Sequence, residues 1–203
     1  MVGAASGTSS GVDRRGRSTP VALPSETPSL ASGVVGDLTD ELSVRLVERR
    51  DAEAIRVIYN VEVLESTVTF DMVPRTIDEQ VSWIDEHSGG HPAIVAVDSA
   101  GVVAGFGSLS PWRDRPAYAG SVEDSVYVHR DHRGQGVGRL LLEELVRLGR
   151  DHGFHTVIAR IVGGHETSIA LHEKCGFEQV GVEREVGRKF KQWLDVVLMQ
   201  RIL

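Results

Sequence analysis

The sequence predicts an α+β domain built on a mixed, mostly antiparallel sheet with a central parallel strand pair and flanking helices. Three observations carry the prediction. β-Branched runs of strand length recur from residue 42 to the C-terminus. Apolar residues at helical spacing occupy separate segments between those runs. One long amphipathic segment stands between two strand-like runs, and a helix joining two strands of one sheet forces a crossover that leaves them parallel.

The elements follow in order. Residues 1 to about 40 are mostly Ser, Gly, Thr, Pro and Ala and show neither period. They read as a flexible tail (1–40) ahead of a folded domain (41–203). Arg14, Arg15 and Arg17 raise the question of an export signal, but Pro20, Pro24 and Pro28 interrupt the apolar run such a signal needs. Leu42, Val44 and Leu46 alternate with Ser43, Arg45 and Val47 as a first strand. Asp51 reads as the N-cap of a helix to about Val63. Thr76 and Glu79 form a capping box for a second helix, in which Ile77, Val81 and Ile84 recur. Strands over 93–97 and 102–109 flank Asp98-Ser99-Ala100-Gly101, which is hairpin-turn chemistry. After a loop rich in Pro, Arg and Tyr comes a strand over 122–128. The long helix spans about 136–152, with Val137, Leu140, Leu141, Leu145 and Leu148 as its apolar stripe. A strand over 156–162 precedes a short helix over about 166–175, stopped by Gly176. Strands over 177–182 and 193–198 complete the domain.

Composition excludes some classes. Of 203 residues, 22 are Lys or Arg and 29 are Asp or Glu, a net charge of −7 that argues against a nucleic-acid-gripping protein. No apolar run reaches the length of a membrane span. One cysteine, Cys175, cannot form an internal disulfide, which fits a reducing, cytoplasmic setting. The pairs His129/His132 and His152/His155 lack a Cys or paired carboxylate to complete a metal site, so no metal is expected.

The most informative local stretch is Arg133-Gly134-Gln135-Gly136-Val137-Gly138-Arg139, after a strand and at the mouth of the long helix. Glycines there let successive N–H groups turn into one concavity, which suits a phosphate. A P-loop would need Lys-Ser/Thr after the last glycine, and the dinucleotide fingerprint fails because position 139 is Arg. A tight strand-to-helix connection with no ligand is the alternative reading.

Val126-Tyr127-Val128 followed by this turn resembles the acetyl-CoA signature of the GNAT superfamily of N-acetyltransferases. Further blocks are similar to the phosphinothricin and methionine sulfoximine acetyltransferase family: Ile58-Tyr59-Asn60, Thr69-Phe70-Asp71, Glu123 to Val128, Ser168 to Lys174, and Trp193-Leu194-Asp195. The resemblance covers nearly all of 43–203. It implies a GNAT-like fold, acetyl-CoA as co-substrate, a small amino-acid-like acceptor and a homodimer through the C-terminal strands. It also implies that Val126, Tyr127 and Val128 pair with the pantetheine arm while residues 133–139 hold the pyrophosphate. His165, where the family carries Asn, and Ser168 are expected cofactor contacts.

The chemistry fits these residue types. An ammonium must lose a proton before it can attack a thioester, and Glu123 is by resemblance the base. Strand alternation puts Glu123, Ser125 and Tyr127 on one face and Asp124, Val126 and Val128 on the other, with Asp124 the rival base if a bulge exchanged the faces. The Val126 N–H is placed to stabilise the oxyanion. His172, on the short helix, is expected to assist the leaving thiolate. Arg113 and Arg115, with Asp114 and Tyr118 in the same loop, are expected to bind the acceptor, and Phe70 to wall its pocket. Rival readings are acetylation of another small amine or of a protein N-terminus, and a non-catalytic acyl-CoA sensor.

Overall fold

The computed structural model describes residues 42–203, so the expected tail lies outside the described residues. Eleven elements follow: β1 (Ser43–Leu46), α1 (Ala52–Glu65), α2 (Ile77–Glu86), β2 (Ala93–Val97), β3 (Val103–Pro111), β4 (Ser121–Val128), α3 (Val137–Asp151), β5 (Thr156–Val162), α4 (Glu166–Lys174), β6 (Glu178–Lys189) and β7 (Gln192–Ile202). One sheet of order β1-β2-β3-β4-β5-β7-β6 joins the strands. Among the described residues only β4 and β5 pair in parallel, with α3 as their crossover.

Each face of the sheet carries its own core. On one, Leu141, Leu142 and Leu145 of α3 pack with Leu109, Val122, Val157 and Met199. On the other, Ile55, Ile58, Tyr59 and Val63 of α1 and Ile84 of α2 cover Val95 and Phe106. Each such fully buried side chain contributes roughly 1.5–3 kcal/mol of burial energy. Thr76 and Glu79 make the expected capping box, Glu79 N–H donating to Thr76 Oγ1 and Thr76 N–H to Glu79 Oε2.

Two expectations change. Asp51 sits at the start of α1 but makes no side-chain cap. Its buried carboxylate accepts both Arg45 guanidinium nitrogens at 2.7 Å and the Glu48 N–H at 2.8 Å, because a bidentate charged pair outcompetes a single cap bond. The last two strands run further than their apolar periods indicate. β6 continues through a bulge at 184–186, where Glu185 has φ 49° and donates its N–H to Asp195 Oδ1 at 2.8 Å. The β6–β7 turn is Phe190-Lys191, both left-handed at φ 49° and 66°.

Candidate active site

The site forms where two central strands part. β4 and β5 stay paired from Ser121/Thr156 to Glu123/Ile158, and there the parallel register ends. β4 nevertheless runs on to Val128 against β3, and β5 to Val162 against β7. Trp112 donates to the Ser121 carbonyl and His129 to the Ala104 carbonyl, so odd-numbered residues of β4 bond to β3. Main-chain groups of Asp124, Val126 and Val128 therefore turn toward the gap, where no strand among the described residues receives them. An extended amide-bearing chain fits such an open edge.

α3 starts from the end of β4 and α4 from the end of β5. Gly134 and Gly136 have φ of 77° and 86°, and a Cβ on either would meet nothing within 4 Å. Gly136 is the helix N-cap and offers no side-chain cap, so the first N–H groups of α3, beginning at Val137, have none from that residue. Gly138 serves packing instead, since its Cβ would come within 3.2 Å of Leu171. Arg133 turns its side chain away and donates to Glu62 Oε1 at 2.7 Å, Gln135 donates to the Asp131 carbonyl at 3.0 Å, and Arg139 to Glu143 at 2.7 Å. The turn can thus hold an anion chiefly through main-chain donors and the helix N-terminus. His165 is the N-cap residue of α4, and Ser168 follows in its first turn, at the other lip of the gap.

The two expected catalytic side chains lie on opposite faces of β4. Glu123 is half-buried on the α1 side, and burial lifts its carboxyl above the usual carboxylate range. Arg160 pulls it back, while Asp124 and Glu183 push it further up. Tyr127, on the same face, stacks on Phe106 and meets Tyr59 edge-on, both at 5.1 Å. His172 is buried on the α3 side at 4% exposure, its Nε2 3.1 Å from Asp124 Oδ2 and its Nδ1 2.7 Å from the Ser168 carbonyl. With both ring nitrogens facing oxygen acceptors, the ring has no free N–H to give a departing sulfur. Burial lowers its pKa, but the Asp124 hydrogen bond and charge, with the Ser168 carbonyl, outweigh that and leave it raised. Asp124 is therefore the partner of His172, and its buried Oδ1 has no hydrogen-bond partner among the described residues.

The acceptor residues are spread more widely. Arg113, Asp114, Arg115 and Tyr118 are exposed in the loop entering β4. Arg113 leans over Trp112 and Tyr118, 5.0 and 5.8 Å from their ring centres. Neither arginine has a carboxylate partner among the described residues. Phe70 rests on β6: a Cβ at Gly187 would lie 2.2 Å from its ring. Sequence reasoning missed the Arg160–Glu183 pair (3.1 Å) beside Glu123, and buried Lys189, since both depend on register between distant strands.

Comparison with known proteins agrees with this geometry. The model of the Acetyltransferase (GNAT) family matches residues 56–177. A curated L-methionine sulfoximine/L-methionine sulfone acetyltransferase of Pseudomonas paraeruginosa is 39% identical over 78% of this chain and 92% of that protein. A GNAT superfamily phosphinothricin acetyltransferase from Sinorhizobium meliloti, solved in complex with acetyl-CoA, aligns with TM-score 0.77 at 38% identity over 80% of this chain and 88% of that one. A ribosomal-protein-alanine N-acetyltransferase structure from Brucella melitensis aligns with TM-score 0.78 at 36% identity over 79% of this chain and 99% of that one. The parted strands, the glycine turn and these matches lead to one assignment: the chain belongs to the GNAT family of acetyltransferases.

Proposed function

We propose that the enzyme transfers the acetyl group of acetyl-CoA to the amino group of a small amino-acid analogue of the phosphinothricin or methionine sulfoximine/sulfone type, by direct attack with Glu123 as general base. The observation that carries the reading is the position of Glu123. It is half-buried, proton-seeking, and sits at the residue where β4 and β5 part. The relatives named for these acceptors support the substrate class.

In this mechanism the 133–139 main chain and the open edge of β4 bind the coenzyme. The Val126 N–H polarises the thioester carbonyl and receives the oxyanion. Glu123 takes the ammonium proton, directly or through a water. His172 stays paired with Asp124 behind β4, and the departing thiolate takes up, through solvent, the second proton that the attacking nitrogen sheds. Arg113 and Arg115 meet the acceptor carboxylate, with Tyr118 beside them and Phe70 as an apolar wall. A cytoplasmic role in detoxifying such analogues follows from the same reading.

A second acceptor class has an observation in its favour: the likeness to the ribosomal-protein-alanine N-acetyltransferase structure points to a peptide N-terminus. Thiol release from acetyl-CoA, measured with phosphinothricin, methionine sulfoximine, methionine sulfone and a short alanine-led peptide, separates the two. Turnover with the amino acids and none with the peptide is the expected result. Turnover with the peptide alone overturns the acceptor assignment.

We also propose a homodimer through β6 and β7. β6 is the outer strand of the sheet and twelve residues long, and Val180, Val182, Val186, Phe190 and Trp193 of this hairpin are exposed. A long apolar edge of this kind invites pairing with a second copy.

A further inference from the structure

Lys189 is a buried ammonium that the acetyl-transfer scheme leaves without a task. It is 3% exposed, although lysine is almost never buried without an ionic partner. Its Nζ donates instead to two main-chain carbonyls, that of Thr69 at 2.8 Å and that of Glu62 at 3.5 Å. Burial draws its pKa down, while the charges of Asp71 and Glu62 hold it up.

The register shows where this contact acts. Glu123 pairs with Ile158, Arg160 with Leu198, Glu183 with Val196, Gly187 with Leu194 and Lys189 with Gln192. Residues paired across a sheet share a face, so Glu123, Arg160, Glu183, Gly187 and Lys189 all look the same way. Lys189 thus fastens the segment between α1 and α2 onto the face that carries Glu123. Its main anchor is the carbonyl one residue before Phe70. Gly187, two residues before Lys189, leaves the space that the Phe70 ring fills. Tyr59 completes the fastening from α1, with its hydroxyl 3.0 Å from Thr69 Oγ1 and 2.5 Å from Asp71 Oδ2. Phe70 itself remains 37% exposed, so part of its ring still faces outward.

We infer that Lys189 is a positioning residue for acceptor specificity: its bonds to the Thr69 and Glu62 carbonyls hold the Phe70 ring against Gly187 as the apolar wall for the acceptor's methylene stem. The inference rests on the proposed amino-acid acceptor and adds a residue that touches neither substrate. A carboxylate partner in place of the carbonyls would fix one side chain. Carbonyl partners fix the main chain at Thr69, which sets the direction of the next side chain.

Two variants and two readouts test it. Lys189→Met removes the donors at similar length. Gly187→Ala leaves the lysine in place and drives a methyl into the ring position. In Lys189→Met, amide hydrogen exchange over residues 66–71 is expected to quicken by about tenfold or more. The acceptor KM is expected to rise about tenfold, with the acetyl-CoA KM and kcat held within about twofold. Gly187→Ala is expected to raise the acceptor KM alone, and the double variant to add little beyond Lys189→Met. Unchanged exchange over 66–71 in Lys189→Met overturns the inference, as does a parallel rise of both KM values, which a merely structural lysine would give. If the wild-type enzyme acetylates no amino acid, the functional reading fails, while the exchange measurement still decides whether Lys189 holds the segment.

Discussion

Glu123 and Asp124 are neighbours with opposite environments, and alternation along β4 is the whole cause. Glu123 faces the α1 side of the sheet, where burial raises its carboxyl above the usual carboxylate range. As the proposed base, Glu123 must be deprotonated to act, so kcat/KM is expected to fall as pH drops through that raised value, with the acid limb above the range of an ordinary carboxylate. Glu123→Gln is expected to lower kcat by about 10²–10⁴-fold and abolish that limb, while calorimetry still shows acetyl-CoA binding. Asp124 faces the core and holds His172. Because the folded pKa of His172 lies above 6.5, stability from the pair is fully present below about that pH and is lost as pH rises through the folded value. Asp124→Ala is expected to cost about 3–5 kcal/mol in urea unfolding near pH 6 and to flatten this pH dependence. The sequence placed both carboxylates on the right faces. It did not reveal that His172 is spoken for, because a side chain 48 positions away supplies its partner.

Elements with strong local signals were legible: the capping box at Thr76, the long apolar stripe of α3, and the glycines that open it. The second half of β6 was not. Its bulge turns on Glu185 and its tip on Phe190-Lys191, left-handed positions held by residues that seldom mark them. Asp195 stabilises the first by accepting the Glu185 N–H, a contact no local pattern announces. At Gly136, φ 86° strains any β-carbon, but space is open, so the backbone alone resists substitution. Gly136→Ala is expected to cost about 1–2 kcal/mol in stability and to weaken acetyl-CoA binding in calorimetry, leaving acceptor KM little changed.

For the whole molecule, the fold class and the single parallel pair followed from counting elements and asking which connection crosses over. Copies in the proposed homodimer would meet through the last hairpin. Light scattering is expected to give twice the mass of one chain, and Trp193→Lys, placing charge at a residue 60% exposed on β7, is expected to shift the population toward single chains. The parting of β4 from β5 reaches furthest. A sheet ordinarily finishes all its internal ladders during folding, whereas here one seam in its middle stays unstitched. In the proposed mechanism the coenzyme arm is the missing thread, so architecture and turnover would draw on the same row of amides: whatever tightened that seam within the polypeptide would steady the fold and close the enzyme to its own substrate.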